Sequence, residues 1–355
     1  MNMGLLEKTI REITPANERA ARAARRRWDS IAKPLRSLGL LEDAVVRIAA
    51  MGGSPDVDLG RRAIVVMCAD HGMVAEGVTQ TGQEVTAIVT ENMSKGDTSV
   101  CCMARVAGAE LVPVDIGVAR PVEGARILPR NLMRGTRNMT REPAMDRETC
   151  IRAIETGIQI ARELCASGVK LLGTGEMGIG NTTASSAVVS ALLGVEPETV
   201  TGRGAGLSSE GLARKVDAIC RAVAVNRPDP ADPVDVLSKV GGLDLAGLAG
   251  VFLGGAACRV PVLVDGFISA AAALCAVRLC PAAGDYLLAS HVSAEPAGEL
   301  LLETLGLTPF LRAKMCLGEG TGAAAVMPLL DMALAVYREM ATFDEIEVEA
   351  YQPLT

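Results

Sequence analysis

The chain has few aromatic residues and no long apolar run. Aromatic residues make up only 2% of its 355 residues, so it offers few of the stacking platforms that bind single-stranded nucleic acid. Its net charge of −7 also disfavours non-specific binding to nucleic acid. The richest apolar segment, residues 260–280, is interrupted by Asp265 and Arg278 and falls short of the ~18 uninterrupted residues that span a bilayer. We therefore expect neither a nucleic-acid partner nor a membrane segment.

Histidine and clustered cysteine are also scarce. The two histidines, His71 and His291, lie far apart, and the ten cysteines contain no C-x-x-C pair. Without a Cys/His cluster we predict no structural zinc site. The cysteines mostly stand in apolar runs, as small buried residues do in a reducing compartment. The N-terminus has no apolar signal core. We therefore expect a cytoplasmic protein.

The apolar pattern divides the chain into a helical start and a longer alternating part. Residues 1–50 are typical of helices, with breaks at Pro34 and Gly39. Continuous apolar runs between helices indicate a parallel sheet that is buried on both faces. The predicted strands are "AIVVMCAD" (63–70), "ELVPVDIGV" (110–118), "VKLLGTGE" (169–176), "VPVLVDG" (260–266) and "YLLASH" (286–291). We therefore predict a doubly wound, mostly parallel, Rossmann-like α/β fold.

The same pattern predicts two domains. Residues 59–329 form the large α/β domain, and residues 1–58 together with 330–355 form a smaller helical domain. A long apolar helix is predicted over 322–340, with a kink or its start at Pro328. Its return to the N-terminal helices would complete the small domain.

Most of the predicted strands end in a polar or acidic residue. In doubly wound folds the ligand binds outside the carboxyl ends of the strands. We therefore expect five side chains to converge on one cleft: Asp70, Asp115, Glu176, Asp265 and His291.

The stretch "GTGEMGIGNTTASSA" (173–187) joins a predicted strand to a predicted helix. It carries more glycines than a tight turn needs. The free N–H groups at the start of a helix form an anion site, and Asn181, Thr182 and Thr183 add side-chain donors. We therefore predict that this loop binds a phosphate. Its spacing can be written as the dinucleotide fingerprint G-x-G-x-x-G or as a P-loop.

Neither of these two motifs fits fully. A P-loop has a lysine where this chain has Asn181, which disfavours a nucleoside triphosphate. The dinucleotide fingerprint needs an acidic residue ~20 positions on, at a strand end, whereas Glu196 and Glu198 stand in a predicted turn. Glu176 would repel a pyrophosphate and suits a ribose hydroxyl or a cationic ring better.

Three further stretches carry candidate site residues. "TGRGAGLSSEGLARK" (201–215) offers Arg203 and Lys215 as phosphate cations, although a plain loop into a helix is the alternative. In "CLGEGTGAAA" (316–325), Glu319 is a carboxylate in an apolar, Gly-rich turn. Its pKa should be raised, which suits a general base, but an acid interacting with the helix dipole is equally compatible. For His71, in "CADHGM", we favour a role in the turn.

Taken together, these stretches resemble one family, the nicotinate-nucleotide–dimethylbenzimidazole phosphoribosyltransferases of cobalamin biosynthesis. The resemblance runs in order along nearly the whole chain. The matching stretches are "KPLRSLGLLE" (33–42), "DHGMVAEGV" (70–78), "QEVT" (83–86), "VDIGV" (114–118), "GTRNMTREPAM" (135–145), "GTGEMGIGNTTASSA" (173–187), "GRGAGL" (202–207), "GLARK" (211–215), "LVDGFISAAAAL" (263–274), "SHVSAEPAG" (290–298) and "LGEGTGAA" (317–324).

The resemblance implies a reaction and a set of site residues. Nicotinate mononucleotide would give its phosphoribosyl group to a benzimidazole-type base, yielding α-ribazole 5′-phosphate and nicotinate. Glu319 would be the general base, and Glu176 would assist the chemistry or hold the ribose. The residues implied near the phosphate and nucleotide are Gly175, Gly178, Gly180, Asn181, Thr182, Gly202, Arg203, Gly204, Lys215 and Gly320. The resemblance also implies a homodimer and no metal or other cofactor.

The chain departs from the family pattern at the predicted base pocket, which we assign to Thr79, Gln83 and Leu317. Thr81-Gly82 stands there in place of the Tyr-Pro pair that the family often has. Elsewhere in the chain, "KPLRSLG" (33–39) replaces the family's "KPPGSLG". The missing aromatic wall predicts a wider set of bases, including adenine and phenolics. Two other function classes stay open on the residues alone, namely a dinucleotide-dependent dehydrogenase and a protein that binds a base without catalysis.

Overall fold

A computed structural model describes residues 4–351 and places a single parallel sheet at the centre of the chain. The strands are β1 (Arg62–Ala69), β2 (Ala109–Gly117), β3 (Leu128–Pro129), β4 (Leu171–Met177), β5 (Val262–Val264) and β6 (Leu287–Ala289). Their order is β3-β2-β1-β4-β5-β6, and neighbouring strands are parallel throughout. The predicted doubly wound α/β class is confirmed, and this order places the topological switch point between β1 and β4.

Helices precede the first strand, occupy most of the connections between strands and follow the last strand. They are α1 (Leu5–Glu12), α2 (Glu18–Ser30), α3 (Leu40–Gly52), α4 (Glu84–Lys95), α5 (Ser99–Val106), α6 (Arg147–Ala166), α7 (Asn181–Leu193), α8 (Pro197–Val200), α9 (Ser209–Asn226), α10 (Pro233–Val240), α11 (Leu243–Ala257), α12 (Phe267–Leu279), α13 (Gly298–Thr304) and α14 (Thr321–Glu339).

Helices cover both faces of the sheet because the side chains of each strand alternate between them. Ile64 of β1 lies against the start of α14, whereas Met67 of the same strand lies against Gly247 of α11. Helices α4, α5 and α14 pack on one face, and α11 and α12 pack on the other. Every residue of β1 is buried, which accounts for the continuous apolar sequence that follows Arg62.

The five strands predicted from apolar runs are confirmed, although β5 and β6 are shorter than their runs. The sixth strand, β3, has only two residues and pairs with Val114 and Asp115 of β2. Such a short strand has no periodicity of its own, so the sequence could not predict it. The last long helix begins at Thr321, well before Pro328, so a start at Pro328 is wrong.

The end of the chain returns to the first helices. The rings of Trp28 in α2 and Tyr337 in α14 have centroids 5.1 Å apart, and Ile31 forms a backbone bridge with Thr342. Helix α14 also packs against α3. These contacts support our proposal that residues 1–58 and 330–355 form a small helical domain beside the large domain, residues 59–329.

Candidate active site

A cleft of about 720 Å³ opens at the carboxyl ends of the strands, beside the switch point. Its walls come from loops that follow several strands. The lining residues fall in the segments 78–81, 176–182, 203–207, 266–269, 291–295 and 316–319, together with Val89 and Lys215. A crevice at this place is where doubly wound folds bind their ligands.

Of the strand-end side chains expected to converge, Glu176 and His291 line this cleft. The expectation is wrong for Asp70, Asp115 and Asp265, which do not line the cleft. The carboxylates of Asp70 and Asp115 instead accept hydrogen bonds from the backbone N–H groups of residues 118–119, at 2.8 and 2.9 Å. Asp70 directly follows β1 and Asp115 lies near the end of β2, so both serve the loop on the other side of the switch point.

The Gly-rich loop after β4 leads directly into helix α7. Gly178, Gly180, Asn181 and Thr182 all line the cleft, and Asn181 is the first residue of the helix. Gly180 has a φ of 97°, a conformation that a side chain disfavours, so glycine is needed at this turn. The start of the 13-residue helix therefore lies at the cleft, where the positive end of the helix dipole favours an anion.

The side chain of Lys215, from α9, extends to this anion site. Its side-chain Nζ donates to the hydroxyl of Thr182 at 2.8 Å and to the carbonyl of Gly202 at 3.0 Å. The residue is 1% exposed, and this burial lowers the pKa of its ammonium to about 8. A phosphate in the cleft would restore the favourable environment that the ammonium lost on burial.

Arg203 and Gly204 line the same region, but Arg203 is engaged by its own loop. Its guanidinium donates to the carbonyl of Leu207 at 2.7 Å and to the hydroxyl of Ser209 at 3.1 Å. Both contacts close the turn that precedes α9. In this arrangement Arg203 shapes the loop, and Lys215 is the cation that underlies the Gly-rich turn.

Glu319 lies in a backbone turn of unusual geometry on the opposite wall. Gly318, Glu319 and Gly320 all have positive φ, at 85°, 62° and 92°. The buried carboxyl oxygen Oε2 of Glu319 has no hydrogen-bond partner within residues 4–351. Burial raises the pKa of this carboxyl more than the backbone N–H of Val100 lowers it. The group is therefore set up to accept a proton.

Glu176 sits between the two walls of the cleft. Its Oε2 accepts a hydrogen bond from the side chain of Asn181, and its other carboxyl oxygen lies against the backbone of Gly318. Burial, followed by repulsion from Asp244 and Asp265, raises its pKa to about 8. At neutral pH this carboxyl is mostly protonated, so it can donate a hydrogen bond to a ligand oxygen.

The cleft thus combines two chemical functions. The N-terminus of α7 and Lys215 can hold an anion, and the carboxyls of Glu176 and Glu319 can exchange protons with a ligand. Among residues 4–351, no group of three His, Cys, Asp or Glu side chains is placed to hold a metal ion.

Four of the predicted site residues lie outside the cleft lining: Gly175, Gly202, Gly320 and Gln83. Gly175 is packed against the peptide that joins Glu319 to Gly320. The side chain of Gln83 donates to the carbonyl of His71 at 2.9 Å, so it anchors a turn. Their sequence motifs identified the right neighbourhood, but the backbone geometry assigns them supporting contacts.

The predicted base pocket is represented in the cleft by Thr79 and Leu317. Thr81, at the departure from the family pattern, lines the same wall. The hydroxyl of Thr79 donates to the carbonyl of Thr81 at 2.8 Å, and Leu317 is 58% exposed. This part of the cleft is therefore an open wall with an apolar residue at its rim.

Ser293 and Glu295 are among the lining residues that the sequence analysis did not identify as site residues. They follow β6 in the polar stretch "SHVSAEPAG" (290–298), which was the available signal. The Oε2 of Glu295 is buried, has no hydrogen-bond partner within the described residues and lies against Gly202. Only the fold brings this acid, 80 positions beyond Lys215, to the anion side of the cleft.

The fold and the cleft define the class: a doubly wound α/β protein with an anion site and proton-accepting carboxyls at its switch point. The family model described as a phosphoribosyltransferase matches residues 13–348. The chain belongs to the family of nicotinate-nucleotide–dimethylbenzimidazole phosphoribosyltransferases.

None of the helices described within residues 4–351 has the length and apolar character that a membrane-spanning helix requires.

Relatives and solved structures agree with this family. The enzyme so named from Acetivibrio thermocellus is 47% identical over 98% of this chain and 99% of its own length. The one from Alkaliphilus metalliredigens is 48% identical over 97% of this chain and 99% of its own. CobT from Thermus thermophilus, for which a crystal structure exists, is 42% identical to this chain in sequence. The two structures superpose over 94% of this chain and 100% of the Thermus chain, with a TM-score of 0.90.

Proposed function

We propose that this chain transfers the phosphoribosyl group of nicotinate mononucleotide to 5,6-dimethylbenzimidazole or a related base. Nicotinate leaves, and the product is α-ribazole 5′-phosphate, the lower-ligand nucleotide of cobalamin. Relatives of 47% and 48% identity that carry the name of this activity support the proposal. The observation that carries it is a buried carboxyl oxygen of Glu319 that has no hydrogen-bond partner among residues 4–351 and lies in the same cleft as the anion site at Lys215.

In the proposed reaction, Glu319 is the general base. It takes the N–H proton of the azole while the other ring nitrogen forms a bond to the anomeric carbon of the ribose. The bond from that carbon to nicotinate breaks, and its electron pair returns to the pyridine nitrogen. Because the pyridinium already carries a positive charge, its departure needs no further activation. Glu176 donates to a ribose oxygen, and Lys215 with the start of α7 holds the 5′-phosphate.

The test is a chromatographic assay of nicotinate release with nicotinate mononucleotide and dimethylbenzimidazole. We expect ribotide to form in equal amount, and we expect Glu319→Gln to lower kcat by ~10²–10⁴-fold while it still binds the mononucleotide. Glu303→Gln makes the same chemical change on the exposed surface of α13 and should leave the rate unchanged. Full activity of Glu319→Gln would refute the assignment of Glu319 as the base. Failure of the unchanged enzyme to bind the mononucleotide would refute the proposed reaction.

We also propose that the base pocket accepts more than dimethylbenzimidazole. Thr81 lines the cleft where the family resemblance leads one to expect an aromatic residue, and a ring contact contributes ~0.5–1.5 kcal/mol. Without this ring contact, the enzyme's preference for dimethylbenzimidazole over other bases should be about 2- to 10-fold smaller. Competition between dimethylbenzimidazole, adenine and phenol measures this directly. A strict preference for dimethylbenzimidazole would contradict it.

We further propose a cytoplasmic homodimer. The family resemblance supports the dimer, and so do large apolar side chains on the surface, with Ile88, Val106 and Met332 at 46%, 84% and 56% exposed. Ten free cysteines fit a reducing compartment. Light scattering should give about twice the 36.9 kDa of the chain, and cell fractionation should recover it with cytoplasmic markers. A mass equal to one chain would refute the dimer.

A further inference from the structure

The turn that carries Glu319 needs an external restraint. Its three successive residues, Gly318 to Gly320, all have positive φ. Glycine adopts this region freely, but a residue with a Cβ disfavours it, so Glu319 is not held there by its own conformational preference. The turn must therefore be stabilised by groups around it.

Asp265, which directly follows β5, supplies that restraint. Its Oδ1 accepts hydrogen bonds from the N–H groups of Gly322 at 2.6 Å and Ala323 at 3.0 Å, and its Oδ2 accepts one from Gly320 at 3.2 Å. The carboxylate thus binds the residue directly after Glu319 and the first turn of α14 at once. Such charge-assisted bonds are among the stronger ones in proteins.

Asp265 is itself fixed by the sheet. Its N–H donates to the hydroxyl of Ser269 at 3.2 Å, and the hydroxyl of Ser290 donates to its carbonyl at 2.8 Å. The residue is 3% exposed and does not line the cleft. From the other side, Gly175 of β4 lies against the peptide that follows Glu319. The turn is therefore held by Asp265 after β5 on one side and by Gly175 of β4 on the other.

We propose that Asp265 is a positioning residue that fixes the carboxyl of Glu319 at the reacting atoms. The proposal rests on the proposed function, because it takes Glu319 as the general base. It differs from a purely structural role, in which Asp265 would only cap α14. A structural cap would lower stability, but its effect on turnover would not depend on whether Glu319 is present.

The test is a double-mutant cycle on the full-length enzyme. Asp265→Asn keeps the size of the side chain but turns an NH₂ group towards one of the three N–H donors. We expect kcat to fall ~10- to 100-fold with the KM for nicotinate mononucleotide within threefold, because the base is displaced and not removed. In the Glu319→Gln background the same change should produce no further loss.

A matched control and a milder variant complete the experiment. Asp115→Asn makes the same change at another strand end of this sheet edge, away from the cleft, and should keep its kcat. If Asp265→Asn does not fold, Ser290→Ala loosens the anchor of Asp265 and should give a smaller loss that is also absent without Glu319. If Asp265→Asn lowers kcat by the same factor in the Glu319→Gln background as in the unchanged enzyme, the positioning role is refuted, while the proposed function is unaffected. An unaffected Glu319→Gln single variant would instead remove Glu319 as the base in the proposed function, on which this proposal rests.

Discussion

Gly175 is the position where a single added methyl group should separate catalysis from binding. An added Cβ would lie 2.4 Å from the carbonyl oxygen of Glu319, 2.5 Å from its carbonyl carbon and 2.6 Å from the nitrogen of Gly320. These are backbone atoms, so no flexible side chain can move aside. Gly175 pairs with Val66 in the middle of the sheet, so β4 cannot yield either.

The size of the effect follows from these distances. Ordinary contacts of a Cβ begin near 3.4 Å, so the turn must retreat by about 1 Å. Overpacking of this kind costs ~1–3 kcal/mol of unfolding free energy, and a displacement of ~1 Å costs up to ~10²-fold in rate. We therefore expect Gly175→Ala to lower kcat roughly 10- to 100-fold. The Kd for nicotinate mononucleotide should stay nearly unchanged, because Gly175 does not line the cleft.

The assay compares nicotinate release at saturating substrates, calorimetric binding of the mononucleotide and thermal unfolding. Gly52→Ala at the end of α3 is the control, because its added Cβ would have no atom of the described residues within 4 Å apart from its own stretch of helix. An unchanged kcat in Gly175→Ala would refute the close-approach argument. Lost mononucleotide affinity with kcat intact would place the phosphate beside Gly175, as a dinucleotide-type fingerprint requires.

Three other predictions address the anion site, the buried acid and the rim. Lys215→Met should weaken mononucleotide binding ~10- to 100-fold by calorimetry, since it removes a charge-assisted bond, whereas Lys170→Met, exposed at the opposite end of β4, should not. The pKa of Glu176 is raised from 4.5 to about 8, so its stabilisation is complete below pH 4.5 and is lost as the pH rises through about 8. Glu176→Gln should therefore flatten the fall in Tm between pH 5 and 9. The thiol of Cys316 is exposed and lines the cleft, so its alkylation should lower the turnover rate. The turnover rate of Cys316→Ser should not change on treatment with the same reagent.

Each of these three has a clear contrary result. Equal mononucleotide affinity in the two lysine variants would remove Lys215 from the phosphate site. Parallel curves of Tm against pH for Glu176→Gln and the unchanged protein would mean that the Glu176 carboxyl titrates normally. Full turnover after complete labelling of Cys316 would place the substrates away from that wall.

Much of the fold was readable from local sequence patterns. The continuous apolar runs predicted five of the strands, because a strand buried on both faces must be apolar along its length. The glycines before α7 and the acid in "LGEG" marked two walls of the cleft, because tight turns and helix starts have local chemical requirements. The two-residue strand β3 carried no such pattern and was missed.

The tertiary structure decided which of these residues meet. Strand order is set by long-range pairing, so sequence alone could not show that Asp70 and Asp115 serve a loop while Glu176 and His291 face the cleft. Motif spacing gave Arg203 and Lys215 equal standing, but their hydrogen bonds separate them.

The same reason explains why the support of Glu319 was not foreseen. Asp265 stands 55 positions before Gly320, and Gly175 comes from a different strand again. A periodic pattern reports which face of an element is buried, because that depends only on neighbours along the chain. The partner of a buried carboxylate depends on the path of the whole chain, and that path exists only once the sheet has assembled.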